Sequence, residues 1–185
     1  MSFFCRHSIL STSHIMDLSE DNQRNLAVAE QLKDESIRLF HEDNYKAALA
    51  KSAKVFLYVS GFLPSTSKLV KFGRGNVMSP ETEARVRELK YSTLVHQAMC
   101  LIKMNESARA VTKCDLAIEI KRTAMILYYR GQALLQGGNV RKAKEDFLQG
   151  KALEPENSAF DDMLAKVAGE TTDRKLAKGL KRMLV

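Results

Sequence analysis

Ala48, Ala110 and Ala143 each head a stretch with the same spacing of small and apolar residues. Twelve residues before each stands a small residue: Ser36, Ala98 and Gly131. Nine before stand Leu39, Leu101 and Leu134, and sixteen before stand Leu32, Leu94 and Leu127. Four after stand Ser52, Cys114 and Phe147. The second and third units are 33 residues apart, near the 34-residue period of helix-turn-helix solenoid repeats. The first and second are 62 apart, one period plus an insertion. A hairpin of this kind buries its apolar stripe only against its neighbours. The pattern therefore predicts an all-α, right-handed α-solenoid of three helix-turn-helix repeats, completed by one or more C-terminal capping helices. Such a stack leaves a concave face for a partner.

Composition agrees with helix. Ala, Leu, Lys and Glu dominate, alternating β-branched runs are missing, and Gly and Pro number 9 and 3 in 185 residues. The three cysteines, Cys5, Cys100 and Cys114, form no Cys-x-x-Cys and no His/Cys cluster with metal-ligand spacing, so a reduced, cytoplasmic setting is expected and no cofactor or metal. No run of 18 apolar residues is present, so no transmembrane segment is expected. The net charge of +7 is local. Lys68, Lys71 and Arg74 stand without an acid in residues 60–79, and residues 173–185 hold Arg174, Lys175, Lys178, Lys181 and Arg182 against Asp173 alone. The repeats are mixed in sign and carry no basic stripe interleaved with aromatics, so nucleic acid is not an expected partner.

Residues 1–22 read as a disordered lead-in. Residues 1–14 are Ser-rich and free of acids, faintly like a presequence, and Met16 offers a second start site. The repeat domain is expected over 23–170: repeat one at about 29–59, an insertion at 60–83, repeat two at about 84–121, repeat three at about 123–156, and a capping helix at 158–168. The insertion has loop composition (Gly61, Pro64, Ser65, Gly73, Gly75). It also holds Phe62, Leu63, Val77 and Met78, too apolar for a free linker, so part of it should fold back onto the stack. Ser79-Pro80-Glu81 reads as a helix start, with a capping serine, proline in the first turn and an acid behind it. Gly169 is expected to interrupt the chain before a basic helix over 171–185.

Three blocks carry a family resemblance. They are Leu127-Tyr128-Tyr129-Arg130-Gly131-Gln132-Ala133 with Glu154-Pro155, Ala98-Met99-Cys100-Leu101 with Lys113-Cys114-Asp115-Leu116-Ala117, and Asn44-Tyr45-Lys46-Ala47-Ala48. They resemble tetratricopeptide repeats. Three units plus an added helix resemble the repeat domains of the large immunophilins and the aryl-hydrocarbon-receptor-interacting proteins. Leu63-Pro64 and Met78-Ser79-Pro80-Glu81 are similar to the tetratricopeptide repeat protein 9 family.

The resemblance implies a co-chaperone-type adaptor in which a lysine and an asparagine from the first unit, an asparagine from the second, and a lysine and an arginine from the third clamp the carboxylates of heat-shock chaperone tails. Those positions fall here on Lys33, Ile37, His96, Met125 and Tyr129, so one of the five is kept. Carboxylates buried against Ile37, Met125 and Tyr129 would lack donors, at a cost of several kcal/mol. Chaperone tails are thus expected to bind weakly. The inward positions instead read as an apolar groove of Lys33, Ile37, Phe40, Val95, His96, Met99, Met125 and Tyr129, suited to a peptide or amphipathic helix of a protein partner. The basic helix at 173–185 suits an acidic partner or a membrane surface. No nucleophile elbow, phosphate loop or zinc motif appears, and isomerase activity in the immunophilins belongs to a separate domain. A non-catalytic scaffold is expected.

Overall fold

The computed structural model describes residues 20–63 and 76–183, with side chains over 22–62 and 78–171. The presequence-like residues 1–14, the rest of the expected lead-in up to residue 19, with Met16, and the centre of the insertion, including Pro64, lie outside the described residues. Among the described residues seven helices follow in order: α1 (Glu20–His41), α2 (Tyr45–Val59), α3 (Pro80–Lys103), α4 (Ser107–Ile120), α5 (Ala124–Gln136), α6 (Val140–Leu153) and α7 (Ala159–Met183). Two short strands, β1 (Phe62–Leu63) and β2 (Asn76–Val77), pair in parallel at the ends of the insertion.

The hairpin turns share one device. Asp43, Asn105 and Gly138 stand five residues before the three ladder alanines, and all three have positive φ (58°, 60° and 81°). Asp, Asn and Gly are the residues that tolerate that region. In the first and third turns the next residue is an asparagine whose side chain accepts from the helix start, Asn44 from Ala47 N and Asn139 from Lys142 N. Ser79 does the same for α3, accepting from Thr82 N, with Pro80 at the first helical position.

Consecutive helices pack in antiparallel pairs. In addition α3 touches α1 and α5, whereas α2 with α4, and α4 with α6, make at most marginal contact. The stack is tighter on the side of α1, α3 and α5, and that side is its concave face.

Two differences from expectation have physical causes. α1 begins at Glu20, inside the stretch expected to be disordered. Leu26 and Ala29 bury in a cluster with Val55, Val59, Phe62, Met78, Val86 and Leu89, so the early turns of the helix gain a tertiary partner. The same cluster takes in Phe62 and Met78, which locks both ends of the insertion into the core. At the other end, α7 runs unbroken through Gly169. One glycine in a helix interior costs only about 1 kcal/mol, and a long continuous helix absorbs it.

Candidate functional site

The expected groove residues divide into two groups. Val95 and His96 are buried, at 4% and 7% exposure. Val95 sits in the core with Tyr91, Leu94, Ala98, Cys114, Ala117 and Ile126. His96 is wedged against α1. A ring nitrogen meets the Ser36 carbonyl, and its ring stacks edge-on to Phe40 at 5.3 Å. Burial, aided by the nearby Lys33 and His41, holds the imidazole below its ordinary pKa. Neither residue is free to line a groove. The i, i+3/i+4 spacing that places a side chain inward cannot say whether a neighbouring helix already covers it.

The second group stays accessible. Met125 is 46% exposed at the start of α5. Tyr129, one turn on, is half-buried; it rests on the second core cluster beside Met99 and meets Tyr128 edge-on at 5.8 Å. Ile37 and Phe40 are half-buried on α1. Tyr129 carries a raised pKa, caused first by burial, so it presents a neutral phenol.

Lys33 lies in a cleft of about 380 Å³ between α1 and α3, lined also by Glu30, Asp34, Arg85, Glu88, Leu89 and Ser92. Arg85 is tied to Glu30 at 2.7 Å. The one clamp position that keeps its lysine thus shares its cleft with three carboxylates, of which Glu30 pairs with Arg85 and Glu88 with Lys121 at 3.6 Å.

A second cleft, of about 490 Å³, opens where α3 and α5 end against α7, between Ile102, Lys103, Asn105, Gln132, Leu135, Gln136, Met163, Lys166 and Glu170. Gln136 Nε2 donates there to the Ile102 carbonyl at 3.1 Å. Sequence reading missed this cleft. Ile102 and Gln132 fall on its inward spacing, but the walls from the turn and from α7 have no repeat counterpart.

Among the described residues no group of His, Cys, Asp and Glu could hold a metal ion. Burial pushes the Cys100 and Cys114 thiols up to about 11 and about 12, so both are poor nucleophiles. No helix among the described residues is long and apolar enough to cross a membrane.

Three stacked helical hairpins with a shared αL turn and a terminal helix define a helical-repeat solenoid. The C-terminal repeat-containing domain of a Plasmodium falciparum FK506-binding protein superposes with a TM-score of 0.68 at 15% identity, covering 83% of this chain and 95% of that one. The first repeat domain of Spaghetti (RPAP3), bound to the HSP90 peptide SRMEEVD, superposes at 0.60 with 18% identity, covering 80% and 98%. The chain has the fold of a tetratricopeptide-repeat domain. In sequence it is similar to mouse peptidyl-prolyl cis-trans isomerase FKBP4, 28% identical over 151 residues (80% of this chain, 29% of the relative). It is also similar to human FK506-binding protein-like, 33% identical over 96 residues (49% and 28%). The chain therefore spans under a third of the length of these curated relatives. No family model matches.

Proposed function

We propose that this chain is a non-catalytic adaptor whose concave face takes a peptide or helix of a partner protein against Ile37, Phe40, Met99, Met125 and Tyr129. The observation that carries this is the pairing of Met125 and Tyr129. Both are accessible on α5, at the two positions where a carboxylate clamp would need cations. A thioether and a neutral phenol offer dispersion and one hydroxyl, which suits apolar side chains.

The related repeat domain bound to an HSP90 peptide supports a second reading, in which a chaperone tail binds through a reduced clamp. The electrostatics favour the first. Lys33 lies in a cleft whose lining holds three carboxylates against Lys33 and Arg85, and His96 is buried and neutral, so the site offers a carboxylate little net positive charge.

The test is affinity capture with the intact chain and with Met125→Lys and Tyr129→Lys, reading bound proteins by mass spectrometry and fold by circular dichroism. Partners captured by the native chain and lost from both folded variants support the groove. Capture unchanged in Met125→Lys, whose side chain is exposed and whose replacement should not disturb the core, contradicts it.

A further inference from the structure

Each hairpin has one place for an ion pair across its two helices, at the positions thirteen before and three after the ladder alanine. Repeat one fills it with Glu35 and Lys51 at 2.6 Å, and repeat three with Arg130 and Asp146 at 2.8 and 2.6 Å. Repeat two has Gln97 on α3 and Lys113 on α4. The base is kept, and a neutral amide stands where the acid would be.

Nothing on α4 makes good the loss. One turn to either side of Lys113 stand Arg109, Ala110, Leu116 and Ala117, none of them acidic. Asp115 is engaged by Arg130, and Glu106, two turns back, by Arg109. Glu119 lies about 120° round the helix from Lys113. Among the described residues Lys113 Nζ has no hydrogen bond or ion pair. Gln97 is 2% exposed, and its Oε1 is without a partner too. The second hairpin thus holds a half-buried ammonium with no counter-ion and, at the paired position, a buried acceptor with no donor. Burial, and then Arg109, hold the Lys113 amine below its ordinary pKa. A cation taken partly out of water without a counter-ion gains by becoming neutral.

We propose that the Lys113 ε-amine is a site of acylation by a small acyl thioester. The free amine attacks the thioester carbonyl carbon. The N–C bond forms, the C–S bond breaks, and the departing thiolate takes up the proton that the nitrogen sheds, leaving a thiol. The product is a neutral secondary amide. It removes the unpaired charge, and its N–H is a donor of the kind that Gln97 Oε1 lacks. Lys113 is half covered, which favours a short acyl group such as acetyl. α4 lies outside the α1, α3 and α5 side of the stack, so Lys113 stands apart from whatever the concave face binds.

Incubation of the intact chain with acetyl-coenzyme A at about pH 7.5 tests this, with acetyl occupancy at each lysine read by peptide mass spectrometry at low conversion. Lys113 should gain at least about threefold more acetyl than Lys46 or Lys144, exposed lysines on the other outer helices. In denaturant the three should react alike. Gln97→Glu supplies the acid that repeat one has and should bring Lys113 down to the level of the other two. Arg109→Gln, a change at an exposed position, should lower Lys113 labelling in the same direction and keeps the test open if Gln97→Glu does not fold. Circular dichroism checks the fold of both variants. Lys113 labelled no faster than Lys46 and Lys144 would overturn the proposal. So would an excess that persists in denaturant, or one that neither Arg109→Gln nor a folded Gln97→Glu reduces.

Discussion

Repeats one and three fill the same positions with different chemistry. Twelve before and four after the ladder alanine, repeat one has Ser36 and Ser52, and repeat three has Gly131 and Phe147. Ser36 Oγ donates across the hairpin to the Ala48 carbonyl at 2.7 Å, while Ser52 Oγ donates to the Leu49 carbonyl of its own helix at 2.8 Å. In repeat three the Phe147 ring fills the space instead, and a Cβ on Gly131 would come within 2.7 Å of its Cζ. Gly150 and Phe160 repeat that fit one helix later, with Cζ at 2.6 Å. The columns preserve close packing across the hairpin, not a residue type. A second pair of columns, thirteen before and three after, reverses its charge. Repeat one joins Glu35 to Lys51 at 2.6 Å, and repeat three joins Arg130 to Asp146 by a two-bonded fork at 2.8 and 2.6 Å. Arg130 also reaches Asp115 at 2.8 Å. Repeat two has Gln97 and Lys113 there, and the buried Gln97 Oε1 has no hydrogen-bond partner. One ladder thus tolerates either polarity or a neutral amide, provided its apolar columns close.

Removing Arg130 should have the largest effect on this comparison. Asp146 is 3% exposed, and Arg130→Ala would leave its carboxylate buried without a partner. A loss of about 3–5 kcal/mol is expected in chemical denaturation. Lys51→Met, the counterpart in repeat one, should change stability no more than an ordinary surface substitution, because that pair is solvent-screened. A similar loss from both would show that the columns are energetically equivalent.

Gly131→Ala should cost about 1–3 kcal/mol by crowding the Phe147 ring. Combination with Phe147→Leu should recover part of the loss, and strict additivity of the two changes would contradict the joint-fit reading. Ser36→Ala should cost about 1 kcal/mol, because the Ala48 carbonyl loses a side-chain donor but keeps its place in α2.

The pH profile sharpens the contrast at its smallest scale. Cys114 takes the same column as Ser52 and Phe147, and burial raises its folded-state pKa from 9.0 to about 12. The neutral thiol is favoured in the fold, so its contribution is whole below pH 9 and is lost as pH rises from there towards 12. His96 works in the opposite direction. Its folded pKa is lowered from 6.5, so its contribution is present above 6.5 and lost as pH falls below it. Denaturation midpoints should fall on both sides, and His96→Gln should flatten the acid limb. An acid limb unchanged in that variant would remove His96 from the α1–α3 packing.

The hairpins were legible because their spacing is set by local rules. Small residues must face each other across each pair; the shared register of Asp43, Asn105 and Gly138 in the turns emerged only from their positive φ. The start of α3 was legible from Ser79 and Pro80. The start of α1 was not, because Glu20 to Asn22 have ordinary helix propensity and gain order through Leu26 and Ala29 packing on distant Val55, Val59 and Phe62. The site was only half legible. Spacing placed Val95, His96, Met99, Met125 and Tyr129 on inward faces but could not tell which of them a neighbouring helix covers. The reversed ion pair of repeats one and three could have been read from the ladder by comparing columns thirteen before and three after the alanines, since opposite charges stand there in both units.

Titration calorimetry of the intact chain with the HSP90 peptide SRMEEVD, the ligand seen on a related repeat domain, tests the central claim most directly. With Met125 and Tyr129 in place of cations and Lys33 in a cleft shared with three carboxylates, no saturable heat is expected at peptide concentrations up to about 1 mM. Saturable micromolar binding, weakened by Lys33→Glu, would show that the concave face still works as a carboxylate clamp and would contradict its reading as an apolar groove.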